Sequence, residues 1–165
     1  MKHAFFILPI ILFFSCKKEN VQPGESVEIY LLKTVQTIPG KCQVDPSHSS
    51  LKDTAIIRNR DILYYSAADY NFKLTDTAIQ KVKALMGRTP FAVTVDRQVI
   101  YYGFYMPMYL SSSCDQSITM DIDWTSGNKI YLRLGYPGQL QGITTEDNRN
   151  DPKLLSTLKL QGKLR

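Results

Sequence analysis

The sequence predicts an α+β fold, a mainly antiparallel sheet with one long and one short helix packed on it. Three observations predict it. Several segments alternate apolar and polar residues with period two and are joined by hairpin turns. Two segments carry apolar residues at helical spacing between recognisable caps. Strands and helices then mix without the regular alternation that would build a parallel α/β sheet. The 165 residues, 44% hydrophobic and 21% charged, suit one globular domain and exclude a disordered, collagen-like or coiled-coil chain. The formal charge of +5 is spread without a basic block, so no nucleic-acid partner is expected.

The chain opens with Lys2 and His3, then an apolar run from Ala4 to Phe14. That run is too short for the roughly 20 residues a membrane-spanning helix needs. A charged start, a short apolar stretch and small Ser15 before Cys16 describe an export signal over residues 1–15. Ser15-Cys16 resembles the lipobox of bacterial lipoproteins, with Phe13 standing at the usual Leu position and Leu12 one step back. The resemblance implies lipid attachment, palmitate included, at Cys16, and a bilayer as first partner. Lys17 after the cysteine implies sorting to an outer membrane, and Lys17-Lys18-Glu19 is similar to the sorting segment of some surface-displayed lipoproteins. Removing residues 1–15 takes away Lys2 and no acid, so +5 becomes +4. Residues 16–25, with Pro23-Gly24, read as a tether reaching about 30 Å when extended. Residues 26–165 are the single domain. Export leaves Cys42 and Cys114 as an even pair in an oxidising compartment, which favours a disulfide over two separate thiols.

Along the domain, Val27, Ile29 and Leu31 mark a strand, and residues 39–54 a loop rich in Pro, Gly and Ser around His48. Tyr70, Phe72 and Leu74 mark another strand. Thr75 is placed as an N-cap, Asp76 suits the positive end of a helix, and Ala78, Ile79, Val82, Leu85 and Met86 follow at helical spacing to a stop at Gly87. Phe91, Val93 and Val95 lead through an Asp96-Arg97-Gln98 turn into Val99–Tyr105. Ile118, Met120, Ile122 and Trp124 lead through Ser126-Gly127-Asn128 into Ile130, Leu132 and Leu134. Asp151-Pro152 opens a short helix on Leu154, Leu155 and Leu158, ended by Gly162.

From Asp61 to Pro107, the order of strand, Leu74-Thr75 cap, helix, Ala92–Asp96, Val99 and Pro107 resembles the periplasmic head domain of the SecD/SecDF protein-export subunit. Gly142-Ile143-Thr144 and Leu154–Leu164 are similar to that family's closing segment. Arg97 replaces the family's turn glycine, which predicts a different turn, and residues 111–124 have no counterpart. The resemblance implies a head-like fold that engages protein chains, without the membrane helices that perform proton-driven work in that family.

Candidate chemistry is sparse. His48, in Asp45-Pro46-Ser47-His48-Ser49-Ser50, has hydroxyl and carboxylate neighbours but no nucleophile elbow, so an envelope hydrolase stands as an alternative only. Asp121 and Asp123 share a strand face and read as its wet side. Glu146-Asp147 with Asn148, Asn150 and Asp151 lacks the glycine and closing Glu of a calcium loop. No metal or other cofactor is expected. The segment from Tyr101 to Tyr109 is the unusual one. Tyr101, Tyr102, Phe104, Tyr105, Met106, Met108 and Tyr109 form a candidate apolar surface for a protein or peptide, unless a loop or helix covers them. Carbohydrate stacking on Tyr and Trp124 is a further alternative. The function expected is a non-enzymatic, membrane-tethered envelope domain that binds a protein or peptide.

Overall fold

The computed structural model describes residues 25–122 and 127–165. Cys16, residues 1–24 as a whole, Asp123, Trp124 and Ser126 lie outside the described residues. The fold is α+β. Its strands are β1 (Val27–Thr34), β2 (Ser50–Leu51), β3 (Ile62–Ser66), β4 (Asn71–Leu74), β5 (Thr89–Val95), β6 (Gln98–Tyr105), β7 (Cys114–Ile122) and β8 (Lys129–Tyr136). Among the described residues two α-helices accompany them, α1 (Asp76–Lys83) and α2 (Pro152–Leu160). All eight strands join one sheet in the order β2-β1-β5-β6-β7-β8-β4-β3. Every neighbouring pair is antiparallel except β6 and β7, which run parallel.

The helices are nearly equal, at eight and nine residues, which corrects the expectation of one long and one short. Thr75 does cap α1, accepting from the Ala78 amide at 3.4 Å. The helix then ends at Ala84, short of Leu85 and Met86. The reason is the next strand. Arg88 turns the chain at φ 65°, and its amide donates to the Tyr105 carbonyl at 2.7 Å, so the chain leaves the helix early to join β5. Met86 is consequently 80% exposed. The second helix follows its sequence closely. Asp151 accepts from the amides of Lys153 and Leu154. At its end Lys163 N–H donates to Leu158 O and Gly162 N–H to Lys159 O, the paired bonds that a glycine at positive φ permits.

The β5–β6 hairpin closes through two residues, Asp96 and Arg97, both at positive φ. That is the two-residue turn that matches the strand twist, although neither residue is glycine. Side-chain bonds hold it: Asp96 accepts from the Ser26 amide at 2.6 Å, while Arg97 donates to the Asp53 carbonyl and lies 5.0 Å over the Tyr30 ring.

Apolar side chains bury both faces of the central strands. One face carries the main core, where Phe91, Val93, Tyr105, Ile118 and Met120 meet Ile79 and Val82 of α1 and Leu154 and Leu158 of α2. The alternate side chains, Ala92, Phe104, Met106 and Cys114, pack with Leu32, Val44 and Tyr136 in a smaller cluster. Asp121 therefore does not sit on a wet face. It is 3% exposed and accepts from the Ile122 amide at 2.7 Å. At the outer edges, Ile29 bonds to Ile56 and Ile57, and the chain begins β3 only five residues later. The C-terminal residues flank β3, with Tyr65 bonded to Lys163 and Arg165.

Where β6 meets β7 only a glycine fits. A Cβ on Gly103 would stand 2.4 Å from the Ile118 carbonyl oxygen and 2.6 Å from Cζ of Phe91. Gly103→Ala is expected to lower stability by about 2 kcal/mol, in the range for overpacked cores. Urea unfolding of the two proteins measures it.

A cleft between diverging strands

The parallel ladder between β6 and β7 is short. It pairs Gly103 with Ile118, Phe104 with Thr119 and Tyr105 with Met120. On the N-terminal side of that junction the strands separate, and each is irregular there. In β6, Thr94 and Val93 of β5 oppose Val99 and Tyr101, so Ile100 is an extra residue against its neighbour. In β7, Cys114 and Ile118 oppose Tyr136 and Leu134 of β8, so four steps of β7 run against two of β8. Bulges bend strands and interrupt pairing, and here two of them flank one gap.

The gap is a cleft of about 380 Å³. Val99, Ile100, Tyr101 and Tyr102 line one side and Gln116, Ser117 and Ile118 the other. Runs of consecutive residues reach the cavity on both sides, so it meets the strands at their edges and not only on one face. Gln43, Val44 and Pro46 close it toward the smaller cluster, and Thr145, Glu146 and Asn148 form the remaining wall.

Each wall is held by its own fastening. Cys42 and Cys114 form a disulfide with their Cα atoms 5.1 Å apart, tying the 43–46 wall to the start of β7. The 145–148 wall is fixed by Arg149. Its guanidinium donates to Asp147 at 2.8 and 2.7 Å and to the Leu132 carbonyl at 3.0 Å, and it lies 3.7 Å over the Tyr70 ring. Burial works against the Arg149 charge, but the Asp147 carboxylate together with the Tyr70 and Tyr65 phenols outweighs it and raises the pKa overall. In return the hydrogen bonds from Arg149 hold the Asp147 carboxyl below its ordinary value. Thr145 Oγ1 also donates to the Asp115 carbonyl at 3.2 Å. Tyr101, on the cleft's β6 side, is 5% exposed, and its hydroxyl is a buried donor with no hydrogen bond among the described residues. Burial pushes its pKa well up, so it stays a neutral phenol.

The expected surface is largely withdrawn from solvent. Tyr101, Phe104, Tyr105 and Met106 are buried and Tyr102 is half-buried. Only Met108 and Tyr109 stand out, at 71% and 70% exposure. The covering is the two-faced core: Tyr101 and Tyr105 point into the main cluster, and Phe104 and Met106 into the smaller one. Burial of its phenol raises the Tyr105 pKa to about 12. His48 donates from Nδ1 to Asp45 Oδ2 at 2.8 Å, and that hydrogen bond lowers the Asp45 pKa. Ser49 and Ser50 bond elsewhere, to Gln36 and Thr34, so among the described residues the oriented imidazole has neither of them on it. Asp147 is engaged by Arg149, and no group of metal-ligating side chains is assembled among the described residues. Among the described residues no helix is long and apolar enough to cross a membrane.

Sequence reading did not anticipate the cleft walls or the role of Arg149. The available signal was Cys114-Asp115-Gln116-Ser117, a polar stretch without alternation directly before the alternating Ile118–Ile122.

The disulfide spans 72 residues, so Cys42→Ser/Cys114→Ser is expected to cost about 4 kcal/mol on the chain-entropy scale, read by urea unfolding with and without reductant. The Asp147 contribution has the opposite sign to acid. Its folded pKa is depressed, so the stabilisation is complete above the ordinary carboxylate value near about 3.9 and is lost as pH falls through the lowered one. With a side chain 36% exposed, it amounts to less than about 1 kcal/mol. Arg149→Met is expected to be less stable at pH 7, with the gap to wild type narrowing toward pH 2 in thermal melts. No protein-family model, curated protein or solved structure matches the chain.

Proposed function

We propose that this is a membrane-tethered, non-enzymatic domain that binds a protein or peptide in the cell envelope, held to an outer membrane by lipid on Cys16. The observation that carries the binding reading is the cleft where β6 and β7 part. At about 380 Å³ it lies in the usual size range of ligand sites. Its lining mixes Val44, Val99 and Ile118 with neutral polar Gln43, Gln116, Ser117, Thr145 and Asn148, a composition suited to a peptide and poor in charge for an ionic substrate. The tether reading rests on the export signal and the lipobox-like Ser15-Cys16. The likeness to the SecD/SecDF head supports engagement of unfolded protein chains, and rests on residues 61–107 with Gly142-Ile143-Thr144 and Leu154–Leu164 beside them.

With reduced, carboxymethylated lactalbumin as an unfolded probe, saturable binding is expected by fluorescence anisotropy, with no binding to the native form. Gln116→Trp, which fills the cleft, is expected to weaken it at least about tenfold, while Met108→Ser/Tyr109→Ser leaves it within about twofold. If the outer pair abolishes binding and the cleft variant does not, the exposed Met/Tyr patch is the contact instead. Metabolic labelling with palmitate is expected to be lost in Cys16→Ser, and retained label refutes the anchor.

A further inference from the structure

Resting on that peptide-binding reading, we infer that the guest enters as an extra strand, inserted edge-on between the separated halves of β6 and β7. In an antiparallel pair, only alternate residues of a strand direct their backbone groups at the partner. β6 bonds to β5 on one side from Gln98 to Tyr105, yet its ladder to β7 starts only at Gly103. Within residues 98–102, the backbone groups not bonded to β5 therefore face the gap with no ladder partner, and the bulge at Ile100 interrupts their strict alternation. Opposite them, the bulged residues 115–117 of β7 lie outside its register with β8. Two strand edges thus face one cavity, and an extended backbone is the ligand that meets both. Free strand edges are the usual template for strand addition.

Geometry constrains the guest further. Because β6 and β7 are parallel to each other, one inserted strand runs parallel to both or antiparallel to both. The cleft ends at the close contact of Gly103 with the Ile118 carbonyl, which limits insertion to the span of Gln98–Tyr102, about 16 Å or five extended residues. Successive guest side chains point alternately to the wall of Gln43, Val44 and Pro46 and to the wall of Thr145, Glu146 and Asn148. The first is apolar apart from Gln43; the second is polar, and Glu146 is the charged residue of the lining. The favoured guest therefore alternates apolar with neutral or basic residues.

A random dodecapeptide library displayed on phage, panned on the disulfide-bonded domain after depletion on Gln116→Trp, supplies the probe. Enriched peptides are then synthesised in three forms: unmodified, and N-methylated on either set of alternate amides. Methylation leaves the side chains in place and removes donors. The expected result is that at least one methylated form binds about tenfold or more weaker, and that hydrogen exchange slows at Val99–Tyr102 and Gln116–Ile118 on binding. Equal binding of all three forms with protection at the cleft overturns strand insertion and leaves peptide binding standing. Absence of any clone enriched over depletion removes both readings. Should Gln116→Trp prove unfolded in thermal melts, Thr145→Trp on the other wall replaces it. If both unfold, the exchange map of the wild type decides, and protection confined to Met108–Tyr109 overturns the inference.

Discussion

Much of this molecule follows from one constraint: β6 and β7 are parallel neighbours joined by only residues 106–113. Parallel strands usually need a crossover of a dozen or more residues. Here Met106 still bonds to Met120 at the top of the junction, and the chain must return to begin β7 at Cys114. Part of that return is spent on a turn, with Leu110 bonded back to Pro107. In a regular strand Cys114 would lie four steps, about 13 Å, below Ile118. Because β7 is bulged, Cys114 stands opposite Tyr136, only two β8 residues from the partner of Ile118, or about 7 Å. The bulge thus shortens the distance the connection must cover. It also takes residues 115–117 out of register, which opens the sheet beside β6.

The same short connection explains why both sheet faces are covered. Residues 106–113 run over the side that holds the smaller cluster, where the Tyr136 hydroxyl donates to the carbonyls of Pro107 and Leu110. The disulfide brings the 39–54 segment onto that side as well. Opening a sheet ordinarily exposes core and invites collapse, since interiors pack at crystal-like density. Two independent fastenings oppose collapse here, a covalent one at Cys42–Cys114 and a charged, hydrogen-bonded one at Asp147–Arg149. Neither depends on the other. A cavity with both walls fixed is pre-organised, and a guest then gives up less of its binding energy to ordering the site.

What was legible in the sequence is what depends on near neighbours in the chain. The caps at Thr75 and Asp151, the Gly162 stop and the alternation in β5, β7 and β8 all report local chemistry. The illegible parts depend on partners far away. The end of α1 is decided by Tyr105, which draws Arg88 into the sheet, so Leu85 and Met86 keep helical spacing without being helical. Asp121 looks wet by alternation, yet it is buried and accepts from the Ile122 amide. Arg149 sits in a run that reads as oxygen ligands, and only the fold shows that its guanidinium is directed at Asp147, Leu132 and Tyr70. The cleft is the extreme case, since it consists of pairings that two strands do not make.

The aromatic run from Tyr101 to Tyr109 gains a different meaning from this arrangement. A strand covered on one face alternates, whereas a strand covered on both faces reads as continuously apolar. β6 is of the second kind, with Tyr101 and Tyr105 on one side and Phe104 and Met106 on the other. Large aromatic side chains suit it because they fill the layer on each side while Gly103 lets the backbone of β7 approach. From Gly103 to Tyr105 both faces of β6 are committed to packing, and the part of the strand that reaches the cleft is Val99–Tyr102. Recognition by side chains would require uncovering one of two cores. Recognition by the edge requires only that a backbone arrive, and the bulges that let β7 start so close to its own crossover have already made room for it.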